Sequence, residues 1–155
     1  MKTLECDYLV IGSGATGMSF VDEIIHKSQN IKVILVDKRA KPGGHWVDAY
    51  DFVRLHAPAA WYGVNSKPLG SGGADLTSKY QILAYYEQVM DELISTGRIT
   101  YLSQCNYLGD GKVKSLLDED LEYQVNRKYQ NTKIIYTIKV YFLKMNQIHN
   151  FLDKF

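Results

Sequence analysis

Residues 7–17 read DYLVIGSGATG. The run Tyr8 to Ile11 ends in glycine, which weakens strands, and glycine then recurs at Gly14 and Gly17. A short apolar run bounded by glycine reads as a strand buried on both faces. From Ala15 to Lys27 the apolar residues Met18, Val21, Ile24 and Ile25 fall on one helical stripe. Lys32 to Asp37, KVILVD, reads as a second buried strand. Strand, helix and strand in so short a span make a βαβ unit.

The glycine spacing has a physical explanation in that setting. At Gly12 the chain turns sharply out of the strand, at Gly14 a side chain would meet a phosphate, and at Gly17 it would hold the helix off the strand. The helix opening at Ala15 and Thr16 points its N–H groups and positive dipole end at the same place, so an anion is held there without a basic side chain. Asp37 ends the second strand twenty positions after Gly17, where a carboxylate accepts hydrogen bonds from ribose hydroxyls. The motif therefore predicts a dinucleotide site. A carboxylate at Asp37 repels a ribose 2′-phosphate, which favours FAD or NAD over NADP. Lys38 and Arg39 soften that preference, either as a cover for a phosphate or as solvated charges.

Residues 38–77 are irregular and hold nine glycines and prolines, among them Gly72 and Gly73, which suggests a functional loop. A helix follows. Ser78 is an N-cap, Gln81 can complete a capping box, and Ile82, Leu83, Tyr86, Val89, Met90, Leu93 and Ile94 form its apolar face, with Gly97 as the closing glycine. Arg98 to Leu102 reads as a third parallel strand. Asn106 to Leu108 and Lys112 to Leu116 flank Gly109-Asp110-Gly111 as a hairpin, and Leu121 to Arg127 can add another antiparallel strand. The expected fold is α/β: a partial doubly wound, Rossmann-like parallel sheet with an antiparallel hairpin added.

Length allows one ordinary domain, and 46% apolar with 23% charged residues is a globular composition. A net charge of +1 offers nothing to nucleic acid. The longest late apolar run, Ile134 to Leu143, carries Lys139 and is too short to span a bilayer. No signal peptide is visible, so a cytoplasmic chain is expected. Cys6 and Cys105 are far apart and lack a histidine cluster, which argues for free thiols and against a metal site.

VIGSGATG, then Val36-Asp37, then PGGHW at Pro42 to Trp46, resembles the FAD-binding start of two-dinucleotide flavoproteins: flavin-containing monooxygenases, Baeyer–Villiger monooxygenases and uncharacterised FAD/NAD(P)-binding oxidoreductases. FVRLHAPAAWYGVNSKPLG, Phe52 to Gly70, is most similar to the uncharacterised branch. The resemblance covers roughly Asp7 to Asn126. It implies that Gly12, Gly14 and Gly17 meet the FAD pyrophosphate, that Asp37 holds the adenosine ribose, and that Gly43 and Gly44 let the loop approach the phosphates and ribitol. It further implies that Trp46 and Leu55-His56 lie toward the flavin ring. His45 and His56 read as hydrogen-bonded loop residues or cofactor contacts, and no residue is assigned to catalysis. Trp46, Trp61 and Tyr62 can stack on flavin or substrate, or plug a small core.

Such enzymes use a second Rossmann domain for NADPH, which reduces FAD before oxygen is activated. This chain has no second GxGxxG, so NAD(P)H is expected as co-substrate only with a further domain, and the chain alone is not expected to run the cycle. Character also changes late: all twelve glycines lie at or before Gly111, and 17 of the last 27 residues are Lys, Asn, Ile, Tyr or Phe. That leaves an ordinary apolar tail or a truncated or out-of-frame one. The expected organisation is an incomplete FAD/NAD(P)-binding domain over 1–111, a hairpin continuation over 112–128 and an atypical tail over 129–155. A truncated flavin-dependent oxidoreductase competes with a non-catalytic FAD- or NAD-binding module. Tyr129 to Lys133 matches the Tyr-x-x-x-Lys of short-chain reductases but lacks their glycine signature, and the cysteine pair of disulfide reductases is missing.

Overall fold

A computed structural model describes residues 1–71, 74–127 and 133–136. Gly72, Gly73, Tyr129 and most of the 129–155 segment lie outside the described residues.

Among the described residues, two four-stranded sheets stack, and helices pack on the other face of the parallel one. The chain starts in β1 (Lys2–Cys6) and steps through Asp7 into β2 (Tyr8–Ile11), which belongs to the other sheet. Asp7 marks the switch by pairing with Lys32: its backbone N–H donates to the Lys32 carbonyl at 2.9 Å, and its Oδ2 accepts from the Lys32 N–H at 2.8 Å. Helix α1 (Ala15–Lys27) leads to β3 (Val33–Val36). After the long loop, with its short strands β4 (Gly63–Val64) and β5 (Lys67–Pro68), come α2 (Lys79–Ser95) and β6 (Ile99–Leu102). Then follow β7 (Cys105–Gly109), β8 (Lys112–Ser115), β9 (Glu122–Arg127) and β10 (Lys133–Tyr136).

The parallel sheet has the order β10-β2-β3-β6, with Tyr8 beside Val33 and Val33 beside Ile99. The second sheet, β1-β9-β8-β7, is antiparallel except where β1 runs parallel to β9. Strand alternation sorts the central residues between two cores. Val10, Val33 and Leu35 join Met18, Val21 and Ile25 of α1 and Ile82, Val89, Met90 and Leu93 of α2. Leu9, Ile34 and Val36 face the other way and pack on Cys6, Cys105, Val113 and Val125 of the second sheet. A strand that is apolar at every position is thus explained by two covered faces.

The expected βαβ start, the Ser78–Gln81 capping box and the turn at 109–111 are all present. The Ser78 hydroxyl accepts from the Gln81 N–H, and the Gln81 side chain accepts from the Ser78 N–H at 2.9 Å. Strand β1 was not anticipated, because its side chains are mostly exposed. The segment 38–77 is less irregular than its composition suggests. Leu55, Ala59, Val64 and Leu69 enter the helix-side core. The phenol of Tyr85 accepts from Val64 N–H at 2.6 Å and donates to the Lys67 carbonyl at 2.6 Å, holding β4 and β5 to α2. Asp22 of α1, 1% exposed, accepts from the Ser66 N–H at 3.0 Å and from the Ser66 hydroxyl, which ties the same hairpin to α1.

Candidate dinucleotide site

The site lies where β2 gives way to α1. Gly12 adopts φ 103°, a left-handed conformation that glycine alone takes easily, and its N–H donates to the Val36 carbonyl at 2.8 Å. Gly14 is the N-cap of α1. Among the described residues no side chain caps this helix, and its first turn holds no acidic residue. The opening amides of a helix have no intrahelical acceptor, so an uncapped start beside a glycine turn suits an anion. Helix α2 differs, since its own capping box satisfies its start.

A second glycine segment closes on the first. The Gly43 N–H donates to the Ser13 carbonyl at 2.9 Å. Gly44 has φ 59°, and a Cβ there would stand 2.9 Å from Gly14 Cα, so two backbones are in direct contact. The sequence suggested a close approach at Gly43-Gly44. The approach seen is to the glycine turn itself.

Asp37 supplies the anchor at the end of β3. It is 5% exposed and faces the turn. Its Oδ2 accepts from the Ser13 N–H at 2.6 Å and the Ser13 hydroxyl at 2.8 Å, while Oδ1 accepts from the Arg39 N–H at 2.8 Å. The Ser13 proton is committed to Asp37, so the Tyr101 hydroxyl, 3.2 Å away, is the donor to Ser13 Oγ. Burial, and in smaller part the Asp37 charge, push the Tyr101 phenol up to about 12, which keeps that donor protonated at neutral pH. Each carboxylate oxygen can accept about two hydrogen bonds. Oδ2 is therefore filled, and Oδ1 keeps room for one further donor such as a sugar hydroxyl.

The sequence candidates sort as follows. Gly12, Gly14, Ala15, Thr16, Gly17, Asp37, Gly43 and Gly44 converge on this turn. Lys38 is exposed immediately after Asp37. Trp46 is half-buried against the helix-side core and its ring lies 5.1 Å from that of the exposed His45. His56 is exposed, Tyr62 packs on the core, and Trp61 is 72% exposed. Sequence reasoning missed Ser13 and Tyr101. Ser13 occupies a variable position of the glycine motif, and Tyr101 reaches it only through the β3–β6 pairing.

A separate cavity of about 860 Å³ lies between α2 and the loop, lined by Arg54, Leu69, Gly70, Asp75, Gln81 and Tyr85 among others. None of the converging glycines lines it, and the glycine turn carries the chemistry that its size does not. Both cysteines are buried and free, and burial pushes the Cys6 thiol up to about 11 and raises that of Cys105. Among the described residues no group of three or more His, Cys, Asp or Glu can hold a metal ion, and no helix is long and apolar enough to cross a membrane.

This geometry defines a Rossmann-like fold. A family model described as an NAD(P)-binding Rossmann-like domain matches residues 10–66. The chain is 44% identical over 138 residues to uncharacterised proteins of Mycobacterium tuberculosis and Mycobacterium bovis, covering 82% of this chain and 26% of theirs. It thus spans about a quarter of the length of these curated relatives. A flavin-containing monooxygenase from Stenotrophomonas maltophilia is similar with a TM-score of 0.61 at 22% identity, over 88% of this chain and 38% of that one. Cyclohexanone monooxygenase from Rhodococcus sp. Phi1, bound to NADP+, gives 0.60 at 20% identity over 88% and 26%. The fold is Rossmann-like and similar to that of these solved monooxygenases, and the chain covers part of their length.

Proposed function

We propose that the chain binds FAD as the dinucleotide-binding portion of a flavin-dependent oxidoreductase of the monooxygenase type. The observation that carries the reading is the uncapped start of α1 at the Gly12–Gly17 turn, with Gly43-Gly44 seated on it and Asp37 beside it. In this reading the amides of Ala15, Thr16 and Gly17 take the pyrophosphate, and Asp37 Oδ1 takes a ribose hydroxyl. Gly43, Gly44, His45, Trp46 and His56 belong to the segment toward the ribitol and flavin, and Lys38 stands at the adenosine end. When bound, FAD supplies acceptance of a hydride and, in monooxygenases, the means to activate oxygen. The residues of this chain contribute binding and orientation. The binding unit comprises residues 1–111 with the hairpin continuation over 112–128.

A second reading is a non-catalytic module that binds FAD or NAD. It is favoured by the matching family, an NAD(P)-binding Rossmann-like domain and not one described by a flavin. Titration of the purified chain with FAD and with NAD, followed by calorimetry, tests the first reading against a module that binds NAD alone. One-to-one FAD binding that outcompetes NAD is expected. Binding of NAD alone would establish the second reading, and binding of neither would end both.

A further inference from the structure

Arg39 is held beside the sugar position and yet turned to another task. Its backbone N–H donates to Asp37 Oδ1 at 2.8 Å, and its carbonyl accepts from the Gln104 N–H at 3.0 Å, so the residue is fixed on both sides. Its guanidinium donates through Nε to Asp48 Oδ2 at 2.8 Å and through Nη2 to the same oxygen. The Arg39 side chain is 24% exposed and that of Asp48 63%. Asp48 follows the short helix Gly44–Trp46, and its N–H donates to the His45 carbonyl at 3.2 Å. The pair therefore ties the second glycine segment to a residue hydrogen-bonded to Asp37. The Arg39 guanidinium is raised further above its ordinary range, first by the Asp48 hydrogen bond and in smaller part by the charge of Asp37.

An adenosine whose 2′-hydroxyl is free can donate to the open position on Asp37 Oδ1. A 2′-phosphate cannot donate, and it brings negative charge toward a buried carboxylate. Only a cation would offset that repulsion. The cation nearest in sequence with a planar fork suited to phosphate is Arg39, and Asp48 already occupies that fork.

We propose that Asp48 is a positioning residue for nucleotide choice: by holding the Arg39 guanidinium it reserves the site for adenosine with an unmodified 2′-hydroxyl. The inference rests on the dinucleotide reading of the glycine turn. Lys38 is present in every comparison below and so does not separate the variants.

The test compares ADP-ribose with 2′-phospho-ADP-ribose by calorimetry on the full chain. The wild type is expected to prefer ADP-ribose. In Asp48→Asn, affinity for the 2′-phosphate compound is expected to rise about threefold to tenfold, the range for one partly screened surface charge. ADP-ribose affinity should stay within about twofold. Asp48→Glu should restore the wild-type ratio, and Arg39→Ala with Asp48→Asn should lose the gain. A purely structural effect of Asp48 would move both ligands together, and an unchanged ratio in Asp48→Asn would likewise overturn the proposal. If the wild type binds neither ligand, the dinucleotide reading fails first and this inference falls with it. If the wild type binds ADP-ribose and the ratio does not respond, only the role of Asp48 is lost.

Discussion

Ser13 shows how one small side chain can organise a glycine turn. Through its N–H and its hydroxyl it places two donors on one oxygen of Asp37, and it receives a third hydrogen bond from Tyr101. A cradle for phosphates needs its amides fixed before the ligand arrives, since ordering them afterwards would reduce affinity. Ser13→Ala keeps the amide contact and loses the hydroxyl links. We expect a loss of about 1 kcal/mol of stability, the usual net value of such a hydrogen bond. Tyr101 is half-buried and water can reach it, so Tyr101→Phe should cost less. Urea denaturation with an unchanged m-value is the measurement, and equal losses in the two variants would show that the chain Tyr101–Ser13–Asp37 is not ordered as described.

Helices α1 and α2 differ in how their starts are satisfied. Helix α2 carries a reciprocal capping box, a buried stripe and the Tyr85 phenol that grips β4 and β5. Helix α1 leaves its start uncapped at the turn and places Asp22 and Glu23 toward the same hairpin, where Asn65 donates to Glu23 at 2.6 Å. Loss of a Ser N-cap costs about 1 kcal/mol. Ser78→Ala should therefore lower the unfolding free energy by about that amount, read from a lower urea midpoint at unchanged m-value, and Ser78→Asp should retain most of the stability. If Ser78→Ala were neutral, the cap at α2 would be redundant with its tertiary packing.

For the molecule as a whole, several acidic groups are buried in neutral form. Burial raises the Cys6 thiol from 9.0 to about 11 and the Tyr85 phenol from 10.0 to about 12. It raises Tyr86 further still. A folded-state pKa above the unfolded one means that the folded state keeps its proton longer. The associated stability is fully present below the unfolded value and is lost as pH rises through the folded value. Stability should therefore hold to about pH 9 and decline between about 9 and 12, the window set by these groups. Denaturation midpoints at pH 8 and pH 11 test this. Tyr85→Phe should be less stable at pH 8, through loss of its two backbone hydrogen bonds, and should decline less steeply above pH 10. A midpoint independent of pH up to 12 would contradict the burial of these groups.

Local pattern made much of this chain readable. The glycine spacing, the apolar runs at Tyr8–Ile11 and Val33–Val36, the helical stripes and the Ser78–Gln81 cap are all short-range signals, and each depends on neighbours a few residues away. The convergence of Gly12, Gly14, Gly17 and Asp37 followed from them. Other features depended on partners distant in sequence. Strand β1 has exposed side chains and is held by β9, with Lys2 aligned to Tyr123. The contact of Gly44 with Gly14, the reach of Tyr101 to Ser13 and the capture of Arg39 by Asp48 arise when loops and strands are brought together. Backbone propensity and hydrophobic period act along the chain and were therefore legible in the residues alone. Which donor meets which acceptor across elements depends on register and packing, and only the tertiary structure settles that.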